Sequence, residues 1–355
     1  MKVCYITVMK KDEFFNLMHS IPKAELHVHE EAVLSLNTIK KVYERSFGKS
    51  ISSGELSSLF KYKDLSGFLD SFIKIQSYFT DINDLKFLFE DFADYLEDNN
   101  IVYCETFFSP TSHLKKGWDF SQMIGLVSKS IEKIQKERKR TVRLIIDVSR
   151  SFGLENAMHN LDLVLKEKSP YIIGIGLGGN EAKGPAQEFI SVFEKARKNG
   201  LHVVAHAGEV CGSSSVDDAI EKLGAERIGH GISSCKDDAL MKKIVERRIP
   251  MEICPTSNVF TRQLVTDLRK HPVRELYDRG AVVTINTDDP AFFKVSLIEE
   301  YWNIYHKLRF KLDDIKVLIE NSFTSSFAEQ KEIKKYLSDF EISWQKWFAE
   351  HPSLT

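Results

Sequence analysis

Glu25-Leu26-His27-Val28-His29-Glu30-Glu31, entered through Ile21-Pro22-Lys23, is the stretch around which the chain is organised. Leu26 and Val28 alternate with two histidines. Alternation with period two marks a β-strand, so His27 and His29 face the same side. Residues two apart on a strand stand roughly 6.6 Å apart, near enough for two imidazoles to converge on one metal ion. Taken alone, the fragment is equally an edge strand with two polar residues on its wet face. The rest of the chain breaks that tie.

Working outward, short apolar runs rich in Val and Ile recur at residues 24–29, 101–108, 142–148, 172–177, 201–206, 227–231, 250–254 and 281–286. Each ends in polar or glycine residues. Helical patterns lie between them, at 120–139, 155–168 and 186–199, the last stopped by Gly200. Residues 33–99 read as a long helical segment, with apolar residues three and four apart over 67–75 and 85–96. Residues 297–349 read as two or three further helices. Eight strands alternating with helices predict parallel strands joined by right-handed crossovers. The expected architecture is a TIM (β/α)8 barrel forming a single domain over 1–355. A helical insertion at 33–99 follows the first strand, and a C-terminal helical tail closes the chain. An open doubly wound sheet is the rival, but no glycine fingerprint follows the first strand. No Pro/Gly/Ser-rich linker, low-complexity tract or internal repeat divides the chain.

Composition agrees. The 355 residues are 43% hydrophobic and 28% charged, an ordinary soluble globular balance. Formal net charge is −2, from 49 basic and 51 acidic residues, so no electrostatic case exists for nucleic acid or an anionic membrane. The basic run at 133–140 reads as a solvated helix face. Cys4, Cys104, Cys211, Cys235 and Cys254 are odd in number and scattered, with no Cys-x-x-Cys. That pattern fits reduced thiols in a cytoplasmic protein. The apolar run within residues 1–9 lacks the core length and cleavage site of a signal peptide. No stretch approaches the roughly 20 apolar residues that span a bilayer. Nothing in the sequence specifies an oligomeric state.

A barrel gathers the C-terminal ends of its strands at one mouth. Those ends carry His27 and His29, Gly179, His206 and Glu209, His230, Ser257, and Asp288 and Asp289. Three imidazoles (His27, His29, His206) and the Asp288 carboxylate suit one zinc ion with a position left for water. Zinc lowers the pKa of bound water toward about 7. Glu209, three residues past His206, is placed as a general acid/base near the metal without binding it. His230 would orient or deprotonate the attacking water and steady developing charge. Asp289 would face the substrate while Asp288 faces the metal. Singly, these residues have plain readings: a core histidine, a surface acid, an Asp-Asp-Pro turn. Their joint fall on eight ordered strand ends favours metal-assisted hydrolysis. Cys254 reads as a small buried residue rather than a thiolate ligand. His19, His113, His159, His202, His271, His306 and His351 read as structural.

The motifs together resemble the adenosine deaminase family of zinc-dependent hydrolases. They are Pro22-Lys23-Ala24-Glu25-Leu26-His27-Val28-His29, His206-Ala207-Gly208-Glu209, Arg227-Ile228-Gly229-His230-Gly231, Cys254-Pro255-Thr256-Ser257-Asn258 and Asn286-Thr287-Asp288-Asp289-Pro290. The resemblance implies one Zn2+ per chain on His27, His29, His206 and Asp288. It implies Glu209 protonating purine N1 while a hydroxide oriented by His230 and Asp288 attacks C6. Asp289 would hydrogen-bond N7, the Gly179 amide would contact N3, and His29 and Glu31 would border the substrate. The implied reaction is hydrolytic deamination of a small-molecule 6-aminopurine nucleoside, adenosine or a modified adenosine such as 6-aminodeoxyfutalosine, to the 6-oxopurine plus ammonia. Adenine is the alternative substrate. Another metal hydrolase, or a non-catalytic purine-binding protein on this scaffold, is the alternative from other classes.

Three positions depart from the adenosine-specific pattern. Glu30-Glu31-Ala32 stands where Leu-Asp-Gly is usual, and Glu31 resembles the adenine deaminase branch there, or serves a modified ribose. Gly176-Leu177-Gly178-Gly179-Asn180-Glu181 replaces Asp-Leu-Ala-Gly-Asp-Glu and resembles the branch acting on 6-aminodeoxyfutalosine. Ile232-Ser233 follows Gly231 where Tyr-His is common. Within 33–99, Phe60, Tyr62, Phe68, Phe72 and Phe79 are expected to form a hydrophobic lid, or to pack on the barrel rim.

Overall fold

Eight parallel strands follow one another around a single sheet in chain order. They are β1 (Lys23–His29), β2 (Ile101–Phe108), β3 (Thr141–Asp147), β4 (Ile172–Leu177), β5 (His202–Ala207), β6 (Arg227–His230), β7 (Met251–Ile253) and β8 (Val283–Ile285). Each lies within about two residues of its sequence expectation, because short Val/Ile runs bounded by Gly, Asn and Asp have few alternative registers. The ring closes where Val28 bridges Asp288. There the His29 N–H donates to the Asp288 carbonyl (2.8 Å) and the Asp288 N–H to the His27 carbonyl (3.0 Å). This computed structural model describes residues 9–63, 65–261 and 264–352. Cys4 and the apolar run up to residue 8 therefore lie outside the described residues.

Helices cover the outside of the ring, including Phe120–Arg138, Gly153–Glu167, Asp238–Arg247 and Leu312–Thr324. The tail resolves into Leu297–Lys307, Leu312–Thr324 and Gln330–Glu350. The segment after β1 divides in two. Helix Leu85–Asp98 packs beside Phe120–Arg138 and β2, as an ordinary crossover helix of the barrel. Helices Leu36–Phe47, Ser53–Ser58 and Leu65–Gln76 are the additional material. Within the basic run, the Arg138 guanidinium meets Asp94 on the neighbouring helix at 3.2 Å. Among the described residues, no helix is long and apolar enough to cross a membrane.

Candidate metal and active site

β1 and β8 carry the centre of the site. A register shift against β2 falls between Glu25 and Val28, and such an irregularity re-aims side chains at strand ends. His27 Nε2 lies 3.4 Å from Asp288 Oδ1, and His29 Nε2 lies 3.2 Å from the same oxygen. His206 Nε2, from β5, lies 3.3 Å from His29 Nε2. His27 Nε2 is buried without a hydrogen-bond partner. Three imidazoles and a carboxylate converging on such an orphaned nitrogen form a donor set that fits a divalent cation. His230 joins the cluster from β6, its Nε2 3.9 Å from Asp288 Oδ2 and 3.6 Å from Glu209 Oε2. His230 and Asp288 both have positive φ, 61° and 65°. Non-glycine residues held there are strained, and such strain gathers at functional sites.

The cluster is held from behind by further buried polar groups. Glu252 Oε2 pairs with His27 Nδ1 at 2.8 Å, its other oxygen with Arg227 Nε at 2.6 Å, and Arg227 reaches Glu105 at 2.6 Å. This wholly buried chain fixes the ring of His27 so that Nε2 faces the cluster. Glu25 Oε1 accepts from the Thr287 amide (2.9 Å) and hydroxyl (2.7 Å), anchoring the turn that presents Asp288. The Ser257 hydroxyl donates to Asp288 Oδ2 at 2.6 Å. Glu181 accepts from the amides of Gly208 (2.6 Å), Val210 (2.8 Å) and Cys211 (3.0 Å), which sets the loop bearing Glu209. Phe107 lies flat against His29, rings 4.9 Å apart. It fits because position 176 is glycine: a Cβ there would fall 2.5 Å from the Phe107 ring. Gly229 is needed for the same kind of reason, since a Cβ would fall 2.7 Å from His27.

Electrostatics separates the acids. Burial, then the Asp288 charge, pushes Glu209 up to about 8. Burial and Asp288 likewise raise Asp289 well above the carboxylate range. Asp288 is also buried, yet the imidazoles of His27 and His29 set against its Oδ1 hold it well below its ordinary value. At neutral pH Asp288 is thus ionised, while Glu209 keeps its proton and can donate it. Burial opposes charge on His27, but Asp288 and Glu252 raise it to about 9. Burial pushes His230 down to about 4. It also holds His206 well below its usual value, helped by the neighbouring histidines.

One cavity brings most of the expected residues together: His29, Gly179, His206, Glu209, His230, Asp288 and Asp289 line it. Glu31 is set back from it. The Glu31 Oε1 accepts from the Ser109 amide at 2.8 Å, and Ser109 is the wall at that point. Ser109, Ser112, Asp147, Ser149, Ser151 and Gln76 line the same cavity. Phe68 and Phe72 of helix Leu65–Gln76 also line it. Of the other aromatics expected there, Phe60 packs on Phe292 (5.4 Å) and Tyr62 on Phe68 (5.7 Å), in one cluster with Phe68 and Phe72, the Tyr62 hydroxyl donates to the Phe292 carbonyl, and Phe79 is in the core. His271, read as structural, stands two hydrogen bonds behind His230.

A family model described as adenosine deaminase matches residues 22–342. The adenine deaminase of Psychrobacter cryohalolentis is 31% identical over 327 residues, covering 91% of this chain and 97% of that protein. The aminodeoxyfutalosine deaminase of Streptomyces avermitilis is 30% identical over 341 residues, 95% of each chain. In three dimensions, the crystal structure of adenine deaminase from Arthrobacter aurescens matches with a TM-score of 0.87 at 28% identity, over 92% of this chain and 99% of that one.

Proposed function

The chain belongs to the adenosine deaminase family of hydrolytic enzymes, and from that premise we propose that it deaminates a 6-aminopurine nucleoside, adenosine or a modified adenosine. Free adenine is the second reading, favoured by the names of the Psychrobacter and Arthrobacter relatives. The observation that carries the reaction is the pairing, in one cavity, of a protonated Glu209 with a buried cluster of three imidazoles and an ionised Asp288.

His27, His29, His206 and Asp288 would hold one Zn2+. Bound there, zinc would lower the pKa of a water molecule toward about 7 and so supply the nucleophile at neutral pH. Asp288 and His230 orient the attacking oxygen toward purine C6. Glu209 gives its proton to N1, which drains electron density from C6 and makes it electrophilic. Asp289 hydrogen-bonds N7, and the Gly179 amide faces N3. As the C6–N bond breaks, the amino group takes the proton that the attacking water gave up to the Asp288 carboxylate and leaves as ammonia, while the C6 hydroxyl returns its proton to Glu209 and the 6-oxopurine remains. Phe107 and the buried acids keep bulk water from competing for these contacts.

The nucleoside reading rests on the further polar groups that line the cavity. Ser109, Ser112, Ser149, Ser151, Asp147 and Gln76 offer donors and acceptors suited to the hydroxyls of an N9 substituent, more polar groups than a bare base needs. Glu31 acts from behind by holding the Ser109 amide. Helix Leu65–Gln76 would serve as the lid. The free thiols of Cys104, Cys211, Cys235 and Cys254 support a cytoplasmic setting. Ammonia release by zinc-loaded protein from adenosine, 6-aminodeoxyfutalosine and adenine, compared as kcat/KM, tests the proposal. A nucleoside should exceed adenine by at least tenfold. Preference for adenine transfers the assignment to the second reading, and no ammonia from any of the three removes both.

A further inference from the structure

His230 has two possible neutral tautomers, and the groups behind it choose between them. The chain of contacts starts at a donor of fixed direction, the backbone N–H of Val273, which gives to His271 Nδ1 at 3.1 Å. A backbone amide only donates, so that nitrogen is bare and His271 carries its proton on Nε2. His271 Nε2 lies 3.1 Å from Asn258 Oδ1 and donates to it. With its oxygen so used, Asn258 turns its Nδ2 amide to His230 Nδ1, 3.0 Å away. That amide nitrogen only donates, so His230 Nδ1 is bare in turn, and the imidazole proton sits on Nε2. All three side chains are buried, so water does not reach the chain to reverse it. His230 Nε2 is the atom turned to Glu209 Oε2 (3.6 Å) and Asp288 Oδ2 (3.9 Å), and so to the reacting oxygen.

We propose that Asn258 and His271 are positioning residues that lock His230 as a hydrogen-bond donor, through Nε2–H, and deny it the role of a base. The chemical reading rests on the deaminase assignment above; the tautomer itself does not. Of the two roles open to His230 from the sequence, orienting the attacking oxygen or deprotonating it, only the first survives. Its N–H steadies the negative charge that builds on that oxygen. The proton leaving the attacking water goes to a carboxylate, not to imidazole.

The test is long-range 1H–15N NMR of the zinc-loaded enzyme labelled at its histidine rings, with His230 assigned by its loss in His230→Gln. The wild-type spectrum should show His230 protonated at Nε2; protonation at Nδ1 overturns the proposal without recourse to any variant. Asn258→Asp replaces the donor to His230 with an acceptor of the same size. It should invert the tautomer to Nδ1–H and lower kcat about 100-fold, the scale of losing one well-placed donor to an oxyanion. KM and zinc content should stay within about twofold. An unchanged tautomer, or an inverted one with wild-type kcat, overturns the proposal. His271→Gln keeps an N–H donor to Asn258 and should preserve the Nε2–H signal and most of kcat, whereas His271→Leu should lose both. Equal damage from the two His271 variants would mark a packing role and overturn the proposal as well. A tautomer found as stated in a protein that deaminates no aminopurine would leave this inference standing and remove the assignment it serves.

Discussion

In the proposed reaction, Glu209 concentrates the chemistry of the site in one proton. Burial and the Asp288 charge raise its carboxyl to about 8, so it is an acid at neutral pH and ceases to be one as pH rises. The activity it supports is therefore fully present well below that value and is lost on the alkaline side. A dication on the nearby histidines stabilises the carboxylate, so the alkaline limb of kcat/KM should fall at or below about pH 8. Glu209→Gln keeps the shape and removes the proton. It should retain zinc at wild-type stoichiometry, lower kcat by about 10²–10⁴-fold, the range for general acid catalysis, and flatten that limb. Zinc lost together with activity would make Glu209 a ligand instead. Glu209 was legible in the sequence because it follows a strand-end histidine by three residues. Glu252 was not. It stands between Met251 and Ile253 in a short buried strand, and only the pairing across the barrel shows that it holds His27, 225 positions away in the chain.

Elements were more legible than their partners. The eight strands show in sequence because each is a short apolar run with a polar end, buried on both faces. The 33–99 segment shows as helical but not as two parts, since the spacing of apolar residues is the same for a crossover helix as for a lid. Three-dimensional packing separates them: Leu85–Asp98 lies on the barrel, and Leu65–Gln76 contributes Phe68 and Phe72 to the lining of the cavity. Phe68 and Phe72 belong to the second of these, with the Phe68 ring 5.1 Å from Phe293 on the far wall. Shortening these side chains opens the cavity to water without touching a donor or acceptor. Phe68→Ala with Phe72→Ala should raise KM about tenfold and lower kcat less, with Tm reduced by only a few degrees, since both rings lie at the rim of the core. Unchanged kcat and KM in the folded double variant would remove the lid role from this helix.

At the scale of the whole molecule, the proposed ligands are supplied by β1, β5 and β8, and the β1–β8 seam is where the barrel closes. A metal held by those strands would tie the ring across its interior and bind the folded chain far better than the unfolded one. At a zinc concentration 1,000 times its dissociation constant that preference contributes about 4 kcal/mol. For a chain of this length, chelation should then lower Tm by roughly 5 °C, and reloading should restore it. The size of the shift should depend on pH, and the sign follows from His27. Asp288 and Glu252 raise it to about 9, so below that pH it carries a proton on the nitrogen the metal must take. Zinc uptake therefore releases that proton, and apparent affinity rises about tenfold for each unit by which pH increases toward 9. Between pH 6 and 8, at fixed total zinc, the difference in Tm between loaded and chelated protein should widen by roughly 2 °C per unit. A difference that is constant with pH would mean that His27 is bound without losing a proton. A difference of zero would mean that no metal bridges the seam, and the strength of the closure would then rest on the Val28–Asp288 backbone bridge and the carboxylates behind it.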